Sequence, residues 1–347
     1  MLVNNNAAHE QHDEELFEIK KLIVDPGQVA TRLDVFIVNH IINATRNKVQ
    51  QSINAGLVLV NGQVIKANYK TRPNDQIIIY SDNQPNINEI IPQHIPLNIL
   101  HEDDAIIILN KPAGLVVHPG SGNLDGTLLN GIAYHLQLQN PNINDTKLPR
   151  YGLVHRIDKN TSGIMVVAKT DEAITHLSKQ FFHHTINRHY IALVWGNVAE
   201  NEGTITAHIG RSTSNRKVYA AFPDGEFGKH AITHYKVLER LGYVTVVQCI
   251  LQTGRTHQIR VHMKHIGHPL FNDATYGGNK IVKGTVFSRY KQFVDNCFAL
   301  CQRQALHAKF LGFVHPTSKQ NIQFDSNLAT DMELLIAKWR SYSPKAN

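Results

Sequence analysis

Asp158 stands in the segment Gly152-Leu-Val-His-Arg-Ile-Asp-Lys-Asn-Thr-Ser-Gly163, between His155, Arg156 and Lys159 and just ahead of an apolar run. Positive neighbours favour the carboxylate anion. An ionised carboxylate beside a pocket can serve as a nucleophile or a base. An isolated loop aspartate more often caps a turn, here Thr161-Ser162-Gly163, and does no chemistry.

Three other segments carry suitable side chains. In Gln252-Thr-Gly-Arg-Thr-His-Gln-Ile-Arg-Val-His-Met-Lys264, Ile259, Met263 and Ile266 share one helix face. Arg260 lies about 100° from Ile259, at the edge of that face, where its guanidinium can reach a buried carboxylate in bidentate fashion. Asn187-Arg-His-Tyr-Ile-Ala-Leu-Val-Trp-Gly196 reads as a strand with Tyr190, Ala192 and Val194 on one face; a buried tyrosine is more often core than catalytic. Asn110-Lys-Pro-Ala-Gly-Leu-Val-Val-His-Pro-Gly-Ser-Gly122 is a strand running into a glycine-rich turn. Gly120, Gly122 and Gly126 miss the spacing and the strand-to-helix setting of a dinucleotide fingerprint, so no nucleotide cofactor is expected. The 21 histidines raise the question of a metal. His257, His262, His265 and His268 are close in sequence, as are His183, His184 and His189, but no His-Glu-x-x-His pattern occurs and the helix around His262 holds no carboxylate. A metal site is disfavoured.

The elements that must position these residues fall into two blocks. In 31–80, Leu33, Phe36, Ile37 and Ile41 recur at helical spacing, and a second helix from about Thr45 to Ile53 is closed by Gly56. Asn61-Gly62 between two apolar runs signals a hairpin, and Gln76–Tyr80 is a further strand. The second block has strands at Ala105–Asn110, Gly163–Lys169, His189–Gly196, Thr204–Ile209, Ile232–Glu239 and Tyr243–Leu251. Its helices fall at Leu128–Leu136, Thr170–Phe182, Thr256–Ile266 and Glu333–Trp339. Strands outnumber helices without alternating with them, which favours an α+β fold. The expected organisation is an acidic disordered tail over 1–18, a small basic domain over 19–82, a Pro/Asn-rich linker over 83–97, a main domain over 98–325, and a C-terminal helix and tail over 326–347.

Length and composition set the outer limits. The chain has 347 residues, 42% hydrophobic and 18% charged, enough apolar matter for a sizeable core. No apolar run approaches the roughly 18 residues of a membrane span. The N-terminus lacks the basic and apolar regions of a signal peptide, and three cysteines cannot build a disulfide framework or a four-cysteine zinc site. A cytoplasmic protein is the expectation. The net charge of +7 is uneven: residues 31–80 and 150–347 are basic, and 81–149 are acidic. Two basic blocks flanking an acidic connector suit a polyanion partner.

Taken together, Lys111-Pro-Ala-Gly-Leu-Val-Val-His-Pro119, His155-Arg-Ile-Asp-Lys-Asn-Thr-Ser-Gly163, Arg188-His-Tyr190, Gly254-Arg-Thr-His-Gln-Ile-Arg-Val-His262 and Arg303-Gln-Ala-Leu-His307 with Gly312-Phe-Val-His-Pro316 resemble the ribosomal large-subunit pseudouridine synthases of the A/D type, nearest to the D type. Residues 31–80 are similar to the αL RNA-binding domain named after a ribosomal small-subunit protein. One departure is Ile157, where the family usually has leucine. The resemblance implies an α+β pseudouridine synthase fold, a largely antiparallel mixed sheet with a central catalytic cleft, behind a small α/β RNA-binding domain. It implies Asp158 as the nucleophile of uridine-to-pseudouridine isomerisation, Tyr190 stacking on the base and moving a proton, Arg260 pairing with Asp158, and Arg156 entering the RNA where the base has left. His155, Lys159, Arg255, His257 and Gln258 are expected at the RNA or the base, and Arg32, Arg46, Lys48, Lys66, Lys70 and Arg72 on the RNA-binding face of the first domain. The reaction has no net redox change, so neither cofactor nor metal is expected. The base must leave its stack to be reached. The expected partner of this monomer is large-subunit ribosomal RNA; a transfer-RNA substrate, or a non-catalytic RNA-binding assembly protein, are the competing readings.

Overall fold

The computed structural model describes residues 17–41, 45–81, 90–120, 123, 125–139, 148–216 and 218–342. It divides the chain into two units, one of residues 1–91 with 118–127, the other of 92–117 with 128–347.

In the first unit, helices α1 (Leu33–His40) and α2 (Arg46–Asn54) accompany strands β1 (Phe17–Ile23), β2 (Val58–Val60), β3 (Gln63–Val64) and β4 (Gln76–Ser81). The sheet order is β1-β4-β2-β3. Leu33, Phe36 and Ile37 of α1 and Ile53 of α2 pack on Val58, Val60, Ile77 and Ile79, as the helical spacing requires. Asn61 and Gly62 have φ of 51° and 81°, the two positive values that the hairpin turn needs. The sequence reading missed β1. It pairs antiparallel with β4 from Phe17 opposite Ser81, so Phe17 and Glu18 belong to a strand and not to the expected tail. Residues 1–16 lie outside the described residues.

Among the described residues, the second unit carries ten strands in one sheet: β5 (Ile99–Glu102), β6 (Ile106–Lys111), β7 (Ser162–Ala168), β8 (Asn187–Trp195), β9 (Glu202–Arg211), β10 (Tyr219–Phe222), β11 (Lys229–Arg240), β12 (Val244–Leu251), β13 (Leu306–Val314) and β14 (Asn321–Asp325). The order is β10-β9-β11-β12-β8-β13-β7-β6-β5, with β14 on β13. Neighbours are antiparallel except β13 and β7, which run parallel where His307 faces Ser162 and Ala308 faces Gly163. Gly163 has φ of +115°, and a Cβ there would sit 2.2 Å from the Ala308 carbonyl oxygen. Only glycine lets the strand after Asp158 come this close to β13.

Helices α3 (Leu128–Gln139), α4 (Asp171–Phe182), α5 (Gln258–His265), α6 (Ser288–Leu300) and α7 (Thr330–Tyr342) complete the unit. Alternation along β8 feeds two cores. Tyr190, Ala192 and Val194 pack with Ile259 and Met263 of α5, while Ile191, Leu193 and Trp195 pack with α6 and α7. The main domain therefore does not end at 325: Met332, Leu335, Ile336 and Trp339 of α7 are buried against Trp195, Phe271 and Tyr290. The expected linker also ends early. Residues 82–89 lie outside the described residues, but Ile95 and Leu97 pack against Gly131 of α3, and proline content had disguised this packed segment.

Candidate active site

The loop bearing Asp158 leaves a 3-10 turn at Pro149–Gly152 and enters β7. Its path is clamped on both sides. Lys111, 1% exposed, donates from Nζ to the carbonyls of Pro112, Leu115 and Lys159 at 2.8, 2.9 and 3.0 Å. Three acceptors match the three protons of an ammonium, although burial pushes the group down to about 7. Arg303 donates to the Asn160 carbonyl at 3.0 Å and to Ser162 Oγ at 3.0 Å, and Asp331 binds its other side at 2.6 and 2.8 Å. His307 Nδ1 lies 2.9 Å from Ser162 Oγ. The turn expected after Asp158 forms through the backbone, Thr161 N–H donating to the Asp158 carbonyl at 3.0 Å. The carboxylate is thus not consumed as a cap.

Arg260 projects from α5 toward that carboxylate. Its Nη1 donates to Asp158 Oδ2 at 3.0 Å. The bidentate partner is a different residue: Nε and Nη2 donate to Asp273 Oδ2 and Oδ1 at 2.8 and 2.9 Å. Asp273 is fully buried and also accepts from the Thr275 and Tyr276 amides at 3.1 and 3.2 Å. The Arg260 guanidinium lies 4.9 Å from the Tyr276 ring centre. Burial opposes its charge, but Asp273 and Asp158 outweigh that and hold it above the ordinary arginine value. Asp158 Oδ1 is left facing His257 Nε2 at 3.9 Å. His257 caps α5 in the left-handed region, φ 55°, with Nδ1 2.8 Å from the Tyr276 hydroxyl. Burial pushes its imidazole toward neutrality, against the pull of Asp158.

Tyr190 on β8 is 8% exposed. Burial holds its phenol above the usual range, Asp158 adds to that, and Arg188 works the other way. Asp158, Arg260, His257 and Tyr190 therefore share one neighbourhood, as do Asp273 and Tyr276, which the sequence reading missed. Their one signal was an acid two positions after the apolar Pro269-Leu-Phe271.

Other expected base contacts are placed differently. His155 Nε2 accepts the Val166 amide at 3.0 Å and its ring stacks on Phe181 at 4.6 Å; burial pushes it down to about 3. It anchors the loop to β7 instead of offering a nitrogen to RNA. Gln258 is buried and fully used, accepting from Thr253 Oγ1 and the Arg255 amide and donating to the Ile232 carbonyl and Thr233 Oγ1. It holds α5 to β11. Arg255 Nε donates to the His230 carbonyl at 3.1 Å, and the side chains of Arg156 and Lys159 are exposed.

In the first unit, Arg32 and Arg46 pair with the buried Asp34, each at 3.1 Å, so part of their charge serves the fold. Lys66, Lys70 and Arg72 are exposed. The Lys48 side chain lies outside the described residues. No cluster able to hold a metal occurs among the described residues, and none of their helices is long and apolar enough to cross a membrane.

The family model for RNA pseudouridylate synthase matches residues 105–265, and that for the S4 domain matches residues 31–77. An RNA pseudouridine synthase of Chlorobaculum parvum, itself described as uncharacterized, is 44% identical over 92% of this chain and 97% of its own length. Ribosomal large subunit pseudouridine synthase D of Xanthomonas campestris is 36% identical over 94% of this chain and 95% of its own; its namesake from Zymomonas mobilis is 45% identical over 71% and 73%. Among solved structures, human RNA pseudouridylate synthase domain containing 4 matches with a TM-score of 0.55 at 21% identity, covering 70% of this chain and 93% of that one, a likeness of fold. With the α+β sheet and the Asp158 loop already in place, these relatives assign the chain to the RNA pseudouridine synthases, isomerases with an N-terminal S4 domain.

Proposed function

We propose that the protein isomerises uridines of large-subunit ribosomal RNA to pseudouridine, with Asp158 as the nucleophile. The observation that carries this is the Asp273–Arg260–Asp158 chain: Arg260 is fixed by Asp273, grips Oδ2 of Asp158 at 3.0 Å, and leaves Oδ1 to meet a nucleotide. The reaction breaks the bond between C1′ and N1, turns the ring, and joins C1′ to C5. C5 gives up a proton and N1 gains one, so atoms and electrons balance without oxidant, reductant or cofactor. Tyr190 stacks on the extruded base and takes part in the proton transfer. Arg156, exposed beside Asp158, enters the space the base leaves, which offsets part of the cost of unstacking.

The ribosomal substrate is supported by the names of the Xanthomonas and Zymomonas relatives and by the small basic N-terminal unit, whose exposed Lys66, Lys70 and Arg72 suit phosphate contacts that orient RNA without reading it. The enzyme acts as a monomer in the cytoplasm. The test is a pseudouridine map of large-subunit ribosomal RNA, free and in partly assembled subunits, after incubation with wild-type protein or Asp158→Ala. New pseudouridines with the wild type alone are expected. The same sites with the variant would overturn the role of Asp158, and pseudouridines confined to transfer RNA would overturn the substrate.

A further inference from the structure

Arg188 precedes Tyr190 by two residues on β8, so both side chains leave the same face of the strand. It is 8% exposed, and its buried Nε has no hydrogen-bond partner. Neither Asp158 nor Asp273 neutralises it, since both are engaged by Arg260. Instead of an acid, Arg188 has the Phe181 ring, 5.6 Å from its guanidinium carbon, with His155 stacked on that ring. Its electrostatic neighbours are mostly basic: burial first, and then the Arg188 charge, push both His155 and His184 down, and Arg255 adds to the effect at His184. A cation taken out of water without an anion is costly, and the cost persists until a ligand supplies the opposite charge.

The guanidinium is not sealed in. Its Nη1 lies 2.7 Å from where a Cβ of residue 254 would stand, and Gly254 is exposed. The missing side chain leaves a window between Arg188 and solvent, rimmed by Arg255 and the exposed His184. RNA brings one phosphate per nucleotide, and the planar fork of an arginine matches phosphate oxygens in pairs. We infer that Arg188, with Arg255 and His184 at its rim, receives a backbone phosphate next to the nucleotide held at Asp158 and Tyr190, and that Gly254 keeps the way open. The inference rests on the reading of the Asp158 neighbourhood as the place of the reacting nucleotide.

The test is the salt dependence of binding to a single-stranded oligouridylate, for wild type, Arg188→Gln and Arg188→Lys. Each phosphate contact contributes a slope of about 0.7 in log Kd against log salt. Arg188→Gln should lose about that much slope, and Arg188→Lys should keep it. Equal slopes in all three proteins would overturn the assignment, as would lost turnover with an unchanged slope, which would mean contact with the base. Should Arg188→Gln fail to fold by circular dichroism, Gly254→Val blocks the window while keeping the arginine; a wild-type slope there also overturns the proposal. A protein that binds oligouridylate with the expected slopes yet modifies no ribosomal RNA would count against the substrate reading alone.

Discussion

Asp273 grips the guanidinium of Arg260 through both carboxylate oxygens, and only the remaining Nη1 reaches Asp158. The fully buried acid is spent on Arg260, and the part-exposed one, which keeps Oδ1 out of that pair, is the one the proposed function makes reactive. The two aspartates should therefore fail differently. Asp273→Asn strands a buried cation and should cost about 3–5 kcal/mol of stability, taking activity with it. Asp158→Asn should unfold near the wild-type temperature while forming no pseudouridine. Thermal unfolding alongside single-turnover assays separates them, and an inverted order would refute the division of roles.

Tyr190 packs with Ala192, Val247 and Met263, so its ring and its hydroxyl can be tested apart. Tyr190→Phe should keep stability within about 1 kcal/mol and RNA affinity unchanged, yet slow turnover by roughly 10²–10⁴-fold, the usual worth of a positioned proton donor or acceptor. Tyr190→Ala should lose about 3–5 kcal/mol as well, as other large core truncations do. Single-turnover rates with both proteins decide. Full activity in the phenylalanine variant would remove the hydroxyl from the mechanism.

Acid should loosen the second unit early. Burial pushes His155 down to about 3 and His262 and His307 to about 4, from an ordinary 6.5. Between these values the unfolded chain binds protons that the folded chain refuses, so stability is full above about pH 6.5 and falls as pH drops toward 4. Each such histidine contributes a slope of up to about 1.4 kcal/mol per pH unit. Unfolding midpoints measured from pH 7 down to 4 should decline through this window, less steeply in a His307→Gln variant. A flat profile would refute it.

The C-terminal helix is core. Trp339 is fully buried, with ring contacts to Trp195, Phe271 and Phe293. Trp339→Ala should cost about 3–5 kcal/mol, and a chain stopped after Asp325 should not fold its second unit. Soluble expression and cooperative melting of that truncated chain would contradict this.

Local regularities were legible in the sequence. The Asn61-Gly62 turn, the inward face Ile259–Met263–Ile266 and the shared face of Tyr190, Ala192 and Val194 all follow from period and turn chemistry, and each is present. Motif resemblance brought Asp158 and Arg260 together before any geometry did. Hidden were residues whose meaning depends on a distant partner. Nothing local marks Asp273 as the bidentate acid, and Arg303-Gln-Ala-Leu-His307 does not announce that it clamps Asn160 and Ser162, more than 140 positions earlier. Strand β1 was masked by its acidic neighbours, and α6 by an apolar pattern diluted with Lys291, Gln292, Asp295 and Asn296. His155 and Gln258 show the opposite failure: polar residues inside a motif read as ligand contacts, while their bonds close the fold.

The parallel meeting of β7 and β13, locked by Arg303 and Asp331, sets a timetable for biosynthesis. Asp158 is translated before the midpoint of the chain, but the strand and the ion pair that steady its loop come from residues 303–331. Contacts this remote close slowly and late. Until residues 303–331 have been made, the Asp158 loop exists without the clamp that fixes Asn160 and Ser162.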